Sequence, residues 1–455
     1  MVSLFGQRQR FQILAQAERT PRRPGSEIRY SSSRGTQPIR EAANPSPAIL
    51  RTTVRSRGRA PKAGSKTPLM LSGALRDGVR RWSINGDFTT LKPTGVARYA
   101  RETTLALDAL LAERHPLAEG LALELLVPRP IRDPLPLKAV PVRLVPEYSR
   151  PRLPQFWVQA QLPRHVEGGL LSFCNLAPVA LKRQIACIHD LHTMTMPESY
   201  GRLFRWAHRL ILPALGRRAA GITTVSEFSR SEIVARNVAP EGKVTVTYNG
   251  SDHACRWEAG RSNLGRWPDW PYVLCLGQSQ PYKNTELALR LAPILERMGL
   301  DLWIAGDVRP DRLFPGRGGK PANIRLLGRI GDDDLKAALA GALCFLFPSR
   351  IEGFGLPAVE AMASGCPVVA STSPCIPEIC GEAALYADPD DAGAWIECIR
   401  RLQEDEALRS RLVAAGKAQA SVYSWRRVAE TYLELMASID GVGVEPARRG
   451  ADLSR

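Results

Sequence analysis

The chain has 455 residues, of which 44% are hydrophobic and 24% charged, and its formal net charge is +17. This length and composition exclude a small disulfide-stabilised scaffold and a wholly disordered chain. The charge is uneven, because residues 1–80 hold 16 Lys and Arg against 4 Asp and Glu. No window of about 20 residues is apolar enough to span a bilayer, and the apolar run at 13–17 is too short for the core of a signal peptide.

The N-terminal segment, residues 1–78, is rich in Arg, Ser, Pro and Gly. It has too little apolar surface to offset the entropy of ordering it, so we predict a disordered basic tail. Three interpretations stay open: a tail that binds anionic lipid or nucleic acid, a solvated tail, and an extension upstream of a true start at Met70. Aromatic residues do not alternate with its charges, as a nucleic-acid platform requires, so no nucleic-acid partner is expected.

Beyond Arg80, short apolar segments alternate with amphipathic helical stretches, which is typical of parallel strands buried on both faces. A stretch rich in Pro and Trp near residues 266–271 separates two series of predicted strands. The first series is Trp82–Asn85, Leu121–Val127, Leu170–Phe173, Ile185–His189, Ile222–Val225 and Val244–Tyr248, and the second is Tyr272–Leu276, Leu302–Ala305, Leu343–Phe347, Val368–Ala370 and Ala384–Tyr386. We therefore predict an α/β fold with two doubly wound Rossmann-like domains, residues 79–262 and 263–422, that face one cleft.

The second series contains a predicted anion site. A buried strand ends at Phe347, a glycine-containing loop follows, and a helix begins near Gly355 with Pro357 in its first turn, where the missing N–H of proline is not needed. Backbone N–H groups around Phe354–Leu356 then point to the same place as the positive end of the helix dipole. This arrangement predicts a phosphate site.

Three charged residues accompany that site. Glu352 lies in the loop and Glu360 in the helix, and carboxylates of this kind accept hydrogen bonds from vicinal sugar hydroxyls. Lys283 follows a turn at Pro281 after the first strand of the second series and can balance a diphosphate. The alternatives are that Glu360 only complements the helix dipole and that Glu352 and Lys283 are solvated surface residues.

These residues resemble those of the family 4, group 1, retaining glycosyltransferases, which have the GT-B fold, and the resemblance covers about residues 80–440. Its most specific element is an E-x7-E signature, Glu352 to Glu360, within EGFGLPAVEAMASGCPVVAS. Supporting matches are Ile84–Gly86, Thr94–Tyr99, Ile188–Asp190, Thr224–Ser229, Tyr248–Gly250, Leu302–Gly306, Ile324–Ile330, Pro377–Glu378, Ala384–Tyr386 and Tyr423–Trp425. The resemblance implies a helix over 423–440 that crosses back over the first domain, followed by a tail at 441–455.

The resemblance also implies roles at matching positions. Glu360 would bind the ribose hydroxyls of a nucleotide and Glu352 the donor sugar, and Lys283 would neutralise the departing diphosphate. The remaining implied site residues are His189 beside the donor sugar and acceptor, Gly95 where the chain approaches the diphosphate, Gly328 and Arg329 near the base, and Gly353, Phe354, Gly355 and Leu356 as backbone donors. Gln278 is a departure, because family members commonly carry arginine there, and diphosphate binding would depend more on Lys283, with Arg350 or Arg329 as further cations.

Two histidines lie close together near the end of a predicted strand. We predict a functional His189, with a hydrogen-bonded structural histidine as the alternative, and we interpret His192 as structural. No metal is expected, because the acidic runs at 332–334 and 388–391 read as helix starts and lack His or Cys at ligand spacing.

The nine cysteines all lie beyond residue 170 without C-x-x-C spacing, which predicts reduced, buried thiols in a cytoplasmic protein. The basic amphipathic stretch Arg202–Arg218 could contact anionic lipid at the inner face of the cytoplasmic membrane. A domain helix with a solvated basic face is the alternative interpretation of that stretch.

We predict transfer of a hexosyl group, guessed to be mannosyl, from a nucleoside diphosphate sugar to a hydroxyl of a saccharide or lipid-linked saccharide. The transfer is predicted to retain the anomeric configuration and to need no metal ion. The acceptor would belong to cell-surface or exopolysaccharide synthesis. The nucleoside diphosphate sugar is a co-substrate, and no separate cofactor is expected. Alternative functions are a catalytically silent sugar-nucleotide-binding homologue and a basic-tail nucleic-acid-binding protein.

Overall fold

A computed structural model describes residues 78–148, 155–265, 270–308 and 321–442. The tail predicted for residues 1–78 ends where the described residues begin, and nearly all of the tail predicted for 441–455 lies outside them. The described residues all belong to one compact unit, residues 70–455.

The first sheet has seven parallel strands in the order β3-β2-β1-β4-β5-β6-β7. Its strands are β1 (Arg80–Asn85), β2 (Leu121–Val127), β3 (Val142–Leu144), β4 (Gly169–Ser172), β5 (Gln184–Cys187), β6 (Gly221–Thr224) and β7 (Val244–Val246). The four residues of each of β4, β5 and β6 are all buried, which explains their continuous apolar character.

The second sheet has six parallel strands in the order β10-β9-β8-β11-β12-β13. They are β8 (Tyr272–Leu276), β9 (Asp301–Ala305), β10 (Ile324–Gly328), β11 (Cys344–Phe347), β12 (Val368–Ser371) and β13 (Ala384–Ala387). Alternate residues of β8 serve opposite faces: Tyr272 and Leu274 belong to one hydrophobic cluster, whereas Val273 and Cys275 belong to another. Both faces of this sheet are therefore covered.

The helices lie between strands or, for the last three, after the final strand β13. They are α1 (Gly95–Ala112), α2 (His192–Thr195), α3 (Arg202–Arg218), α4 (Glu227–Ala235), α5 (Thr285–Arg297), α6 (Asp332–Gly341), α7 (Leu356–Ala363), α8 (Cys375–Cys380), α9 (Ala392–Glu404), α10 (Glu406–Ser421) and α11 (Trp425–Asp440). Side chains cap several N-termini: Asp391 accepts from the N–H groups of Gly393 and Ala394, as its predicted place at a helix start requires. No helix in the described ranges combines the length and apolarity needed to cross a bilayer.

The last helix, α11, returns to the first sheet. Asp440 at its end is buried and accepts hydrogen bonds from Nε of Arg80 at 2.7 Å and from the indole of Trp82 at 3.0 Å. Further along the helix, the hydroxyl of Tyr432 lies 3.0 Å from that of Tyr99 on α1. These buried contacts fasten α11 to β1 and α1 of the first domain.

The two-sheet α/β fold is confirmed, and two details differ from the sequence predictions. The edge strands β3 and β10 were not predicted as strands, because each carries an arginine, Arg143 or Arg325, and lacks a buried apolar run. Among the nine cysteines, all unpaired, Cys255 is exposed and Cys174 partly so; the other seven are buried as expected. The exact domain boundaries at 262/263 and 422/423 stay predictions.

Candidate active site

Three glycines form the carboxyl edge of neighbouring strands in the second sheet. Gly277 follows β8, Gly306 follows β9 and Gly328 ends β10; the N–H of Gly306 donates to the carbonyl of Gly328 at 2.6 Å. Gly306 has φ +127°, and a Cβ there would lie 2.1 Å from the carbonyl oxygen of Gly277. Only glycine fits at this position, so bare backbone lines this edge.

The predicted anion site is a helix N-terminus, as expected. Gly355 adopts φ +95° as the N-cap, and α7 begins at Leu356. The buried ring of Phe354 packs against Tyr423 with ring centroids 5.3 Å apart. The first N–H groups of α7 thus emerge from a rigid, buried loop.

That loop also contacts the first domain. The carbonyl of Gly353 accepts a hydrogen bond from Oγ of Ser226 at 2.6 Å, and a Cβ at Gly353 would lie 2.8 Å from the carbonyl oxygen of His189. In return, the carboxylate of Glu378 accepts from the N–H groups of Glu227 and Phe228 at 2.7 and 3.0 Å, at the start of α4. The two sheets therefore meet along the carboxyl ends of their strands.

Lys283 and Glu352 are brought together, as the predicted site requires. Nζ of Lys283 lies 2.7 Å from Oε1 of Glu352, and the two side chains are only 16% and 10% exposed. Asn284, in the left-handed region at φ 53°, fixes this turn by donating to the carbonyls of Pro348 and Pro389 at 3.2 and 2.8 Å. A partly buried ion pair therefore stands beside the N-terminus of α7.

Glu360 is buried and has a different set of partners. Its Oε1 lies 2.9 Å from Nε2 of His253 and 3.5 Å from Nε of Arg98. The described residues provide no hydrogen bond to its second oxygen, Oε2. The guanidinium of Arg98 also donates two hydrogen bonds to the carboxylate of Asp332, at 2.6 and 2.9 Å. One oxygen of Glu360 is thus fixed by protein, while the other can accept a further hydrogen bond.

Neither His253 nor Arg98 was predicted as a site residue. Each reaches Glu360 across more than a hundred positions of sequence. Arg98 lies within the matching segment Thr94–Tyr99, but nothing in that segment indicates this contact. Their contact with Glu360 is visible only once the two domains and the segment 249–257, which follows β7, are brought together.

The ring of His189 lies inside the first domain. Its Nε2 is 2.7 Å from the carbonyl of Phe173, and its ring meets Tyr99 edge to face with centroids 4.8 Å apart. Burial lowers the pKa of His189, but the neighbouring Cys187 and the Phe173 carbonyl outweigh burial and leave the pKa raised. These contacts favour the structural alternative, and the catalytic role of His189 stays a prediction.

His192 lies in the cleft instead. Together with Asp190, Phe228 and Glu352 it lines a small pocket between the two domains. Its Nδ1 is 3.6 Å from Oδ1 of Asp190, and its buried Nε2 has no hydrogen-bond partner among the described residues. The geometry therefore makes His192, interpreted from sequence as structural, a candidate ligand-contacting residue.

Two of the remaining predicted site residues, Gln278 and Arg329, are more exposed than Glu352, Glu360 and Lys283. Gln278 points outward and its backbone exchanges hydrogen bonds with the hydroxyl of Thr285. Arg329 lies 3.8 Å from Asp307 with both side chains largely exposed. No described atom comes within 4 Å of a Cβ built on Gly95, so packing within the described residues does not impose glycine there.

Arg350, the other cation considered, is 2.6 Å from Asp390 and therefore already paired. No group of three or more His, Cys, Asp or Glu among the described residues is placed to hold a metal ion. Metal independence stays a prediction.

Both halves of the chain match family models. Residues 93–254 match the model described as Glycosyltransferase Family 4, and residues 270–405 match that described as Glycosyl transferases group 1. O-antigen chain mannosyltransferase B of Escherichia coli is 35% identical over 263 residues, covering 54% of this chain and 68% of that protein. O-antigen chain mannosyltransferase RfbU of Salmonella typhimurium is 26% identical, covering 49% of this chain and 62% of that protein.

Solved structures share the fold at low sequence identity. A sucrose-phosphate synthase from Thermosynechococcus elongatus has a TM-score of 0.60 at 18% identity, covering 80% of this chain and 100% of that one. WaaG, a glycosyltransferase involved in lipopolysaccharide biosynthesis, has a TM-score of 0.54 at 15% identity, covering 78% and 99%. HepE from Anabaena, solved with UDP and glucose, has a TM-score of 0.54 at 15% identity, covering 79% and 99%. With its E-x7-E signature at the junction of two parallel sheets, the chain belongs to the group 1, family 4, glycosyltransferases of GT-B fold.

Proposed function

We propose that this glycosyltransferase moves a hexosyl group from a nucleoside diphosphate sugar to a hydroxyl of a saccharide or lipid-linked saccharide, with retention at the anomeric carbon. The observation that carries the proposal is the Lys283–Glu352 pair at 2.7 Å beside the N-terminus of α7. An ammonium and a helix N-terminus supply positive potential for a diphosphate, while a carboxylate accepts from sugar hydroxyls.

In the proposed step, the bond between the anomeric carbon and the diphosphate oxygen breaks while the acceptor oxygen bonds to the same face of that carbon. The acceptor proton passes to the departing diphosphate, so no protein nucleophile is needed. Lys283 and the first N–H groups of α7 stabilise the charge that develops on the leaving group. Because Glu352 is held by Lys283, it is preorganised before the donor binds.

Glu360 is proposed to bind the nucleotide ribose. Its Oε1 is held by His253 and Arg98, which leaves Oε2 to accept from a hydroxyl. At the same edge, a Cβ built on Gly328 would meet none of the described neighbouring atoms within 4 Å, and we propose that the base lies there. We propose that no metal ion is required, since Lys283 and the helix dipole supply positive charge.

Mannose is the proposed sugar, supported by two relatives described as O-antigen chain mannosyltransferases. We propose that the acceptor is an intermediate of a cell-surface polysaccharide and that the transfer takes place at the inner face of the cytoplasmic membrane.

The test is a transfer assay with a panel of nucleoside diphosphate sugars, including GDP-mannose and UDP-glucose, and with chelator present and absent. Thermal shifts with the same ligands run alongside, because a ligand that binds only the folded state raises its melting temperature. Selective stabilisation and transfer with one donor support the proposal. Stabilisation without transfer to any hydroxyl acceptor would identify a silent sugar-nucleotide-binding homologue instead.

A further inference from the structure

Tyr282 lies directly before Lys283 in the short turn Pro281–Lys283, which follows β8. Its side chain is buried in spite of this place in a turn. The ammonium of Lys283 lies over the Tyr282 ring, 5.4 Å from its centroid, which is within the range of a cation–π contact. Lys283 is therefore held from two sides, by the carboxylate of Glu352 at 2.7 Å and by the face of an aromatic ring.

The backbone of Tyr282 is fixed within the second domain. Its carbonyl accepts a hydrogen bond at 2.8 Å from the N–H of Arg350, which lies in the same loop as Glu352. The turn with the lysine and the loop with the glutamate are thus joined through their backbones. The Tyr282 ring therefore has a defined position relative to both members of the Lys283–Glu352 ion pair.

Two side chains of the first domain contact the side chain of Tyr282. Tyr200, two residues before α3, forms a side-chain hydrogen bond with Tyr282 and stacks on Phe204 with ring centroids 5.9 Å apart. The ring of His192 on α2 lies 5.1 Å from the Tyr282 ring. Tyr200 and His192 both belong to the segment between β5 and α3, so the contacts of Tyr282 cross the cleft.

The two tyrosines are uncharged at neutral pH. Burial raises the pKa of Tyr282 above its usual value and raises the pKa of Tyr200 to about 12, and the nearby carboxylates Asp190 and Glu352 act in the same direction. Neither hydroxyl therefore competes with Glu352 as an anion for the ammonium. The Tyr282 ring holds Lys283 in place and leaves its positive charge available.

We propose that Tyr282 is a positioning residue that fixes the Lys283 ammonium for the departing diphosphate, and that Tyr200 fixes Tyr282 from the first domain. This role rests on the proposed function of Lys283 as the cation that stabilises the leaving group. Lysine has a flexible four-carbon stem, and charge stabilises a transition state best when it needs no reorganisation during the reaction. A cation of the second domain then depends on a side chain of the first.

Chemical modification of the free protein tests the ring contact without a transfer assay. Limited acetylation with acetic anhydride, followed by peptide mass spectrometry, compares the reactivity of Lys283 with that of the exposed Lys182. We expect the ratio to rise roughly two- to fivefold in Tyr282→Leu, because a cation–π contact is lost. The rise should be smaller in Tyr282→Phe, which retains a ring. An unchanged ratio in a Tyr282→Leu protein that melts like the wild type would overturn the proposal.

Steady-state kinetics with the donor identified by the panel test the positioning role. Since Lys283 acts on charge that develops in the transition state, kcat and kcat/KM for the donor should fall together while KM changes little. We expect a roughly two- to tenfold lower kcat in Tyr282→Phe and in Tyr200→Phe, because each removes one partner of the hydrogen bond. Tyr386→Phe is the matched control, since it removes a tyrosine hydroxyl bonded to the carbonyl of Gly381 at the edge strand β13. A raised KM with unchanged kcat would contradict the positioning role.

The variant that combines Tyr200→Phe and Tyr282→Phe tests the link between the domains. If the two hydroxyls act through one hydrogen bond, its kcat should be no lower than that of the more affected single variant. Losses that multiply would show that the hydroxyls act separately and would overturn the role of Tyr200.

Lys283→Ala separates the positioning role from the proposed function. Near wild-type turnover in Lys283→Ala would reject the proposed role of the lysine, while the acetylation ratios would still show whether Tyr282 holds the ammonium. Loss of turnover in Lys283→Ala with wild-type kcat in all Tyr282 variants would leave the proposed function standing and reject the positioning role.

Discussion

His253 donates its Nε2 proton to Oε1 of Glu360 at 2.9 Å, across 107 positions of sequence. The position of this proton follows from the other ring nitrogen of His253. Nδ1 lies 3.0 Å from the indole Nε1 of Trp425, which can only donate, so Nδ1 accepts and the proton of the neutral ring is on Nε2. His253, in the segment that follows β7, thus joins α11 to the Glu360 carboxylate on α7 that we propose binds ribose.

His253→Ala is expected to weaken nucleoside diphosphate binding by roughly tenfold or more, because a hydrogen bond to a charged group contributes about 1.5–3 kcal/mol. With that bond gone, Arg98 is the one remaining partner of this buried carboxylate among the described residues, and the carboxylate can turn away from the hydroxyl whose hydrogen bond it should accept. Isothermal titration with the nucleotide identified by the donor panel measures the effect. His253→Gln, which keeps an N–H donor, should recover part of the affinity, and unchanged affinity in a folded His253→Ala protein would refute the positioning role.

Lys283→Ala and Glu352→Gln are expected to lower kcat by roughly 10²–10³-fold, because each removes a preorganised charge from the site of leaving-group departure. Arg350→Gln is the matched control, since it removes a cation nearby that is already paired with Asp390. Steady-state kinetics with circular dichroism as the folding check measures all three. Near wild-type turnover in both Lys283→Ala and Glu352→Gln would show that these roles are wrongly assigned.

The buried strands and the α7 signature could be predicted from sequence because their signals are local. A strand covered on both faces is a continuous apolar run, and a Gly-Leu-Pro helix start is visible within a few residues. The edge strands β3 and β10 could not be predicted from sequence, because half-exposed Arg143 and Arg325 interrupt their apolar pattern. The partners of Glu360 also could not be predicted from sequence, since no period or spacing relates Glu360 to Arg98 or His253.

The two neighbouring histidines should respond differently to substitution by asparagine. His189→Asn leaves the carbonyl of Phe173 without its buried donor, which should lower the free energy of unfolding by about 1–3 kcal/mol. His192→Asn removes a nitrogen that has no partner among the described residues, so stability should change little while turnover falls. Urea denaturation and steady-state kinetics separate the two effects. A large loss of kcat without loss of stability in His189→Asn would instead support its predicted catalytic role.

Asp87, in the loop after β1, gives the fold a pH dependence of its own. Burial raises its pKa from 3.8 to about 7, and the N–H of Phe88 only partly opposes this; Oδ1 has no hydrogen-bond partner among the described residues. Because the folded state holds this proton more tightly than the unfolded state, the contribution of Asp87 to the free energy of unfolding falls as pH rises from about 4 to about 7 and stays low above that. Asp87→Asn should therefore raise the melting temperature near pH 8 and leave it nearly unchanged near pH 4. Asp390→Asn, which alters an exposed carboxylate, should show no such gain at pH 8. An equal shift of Asp87→Asn at both pH values would mean that Asp87 is ionised in the folded protein throughout this range.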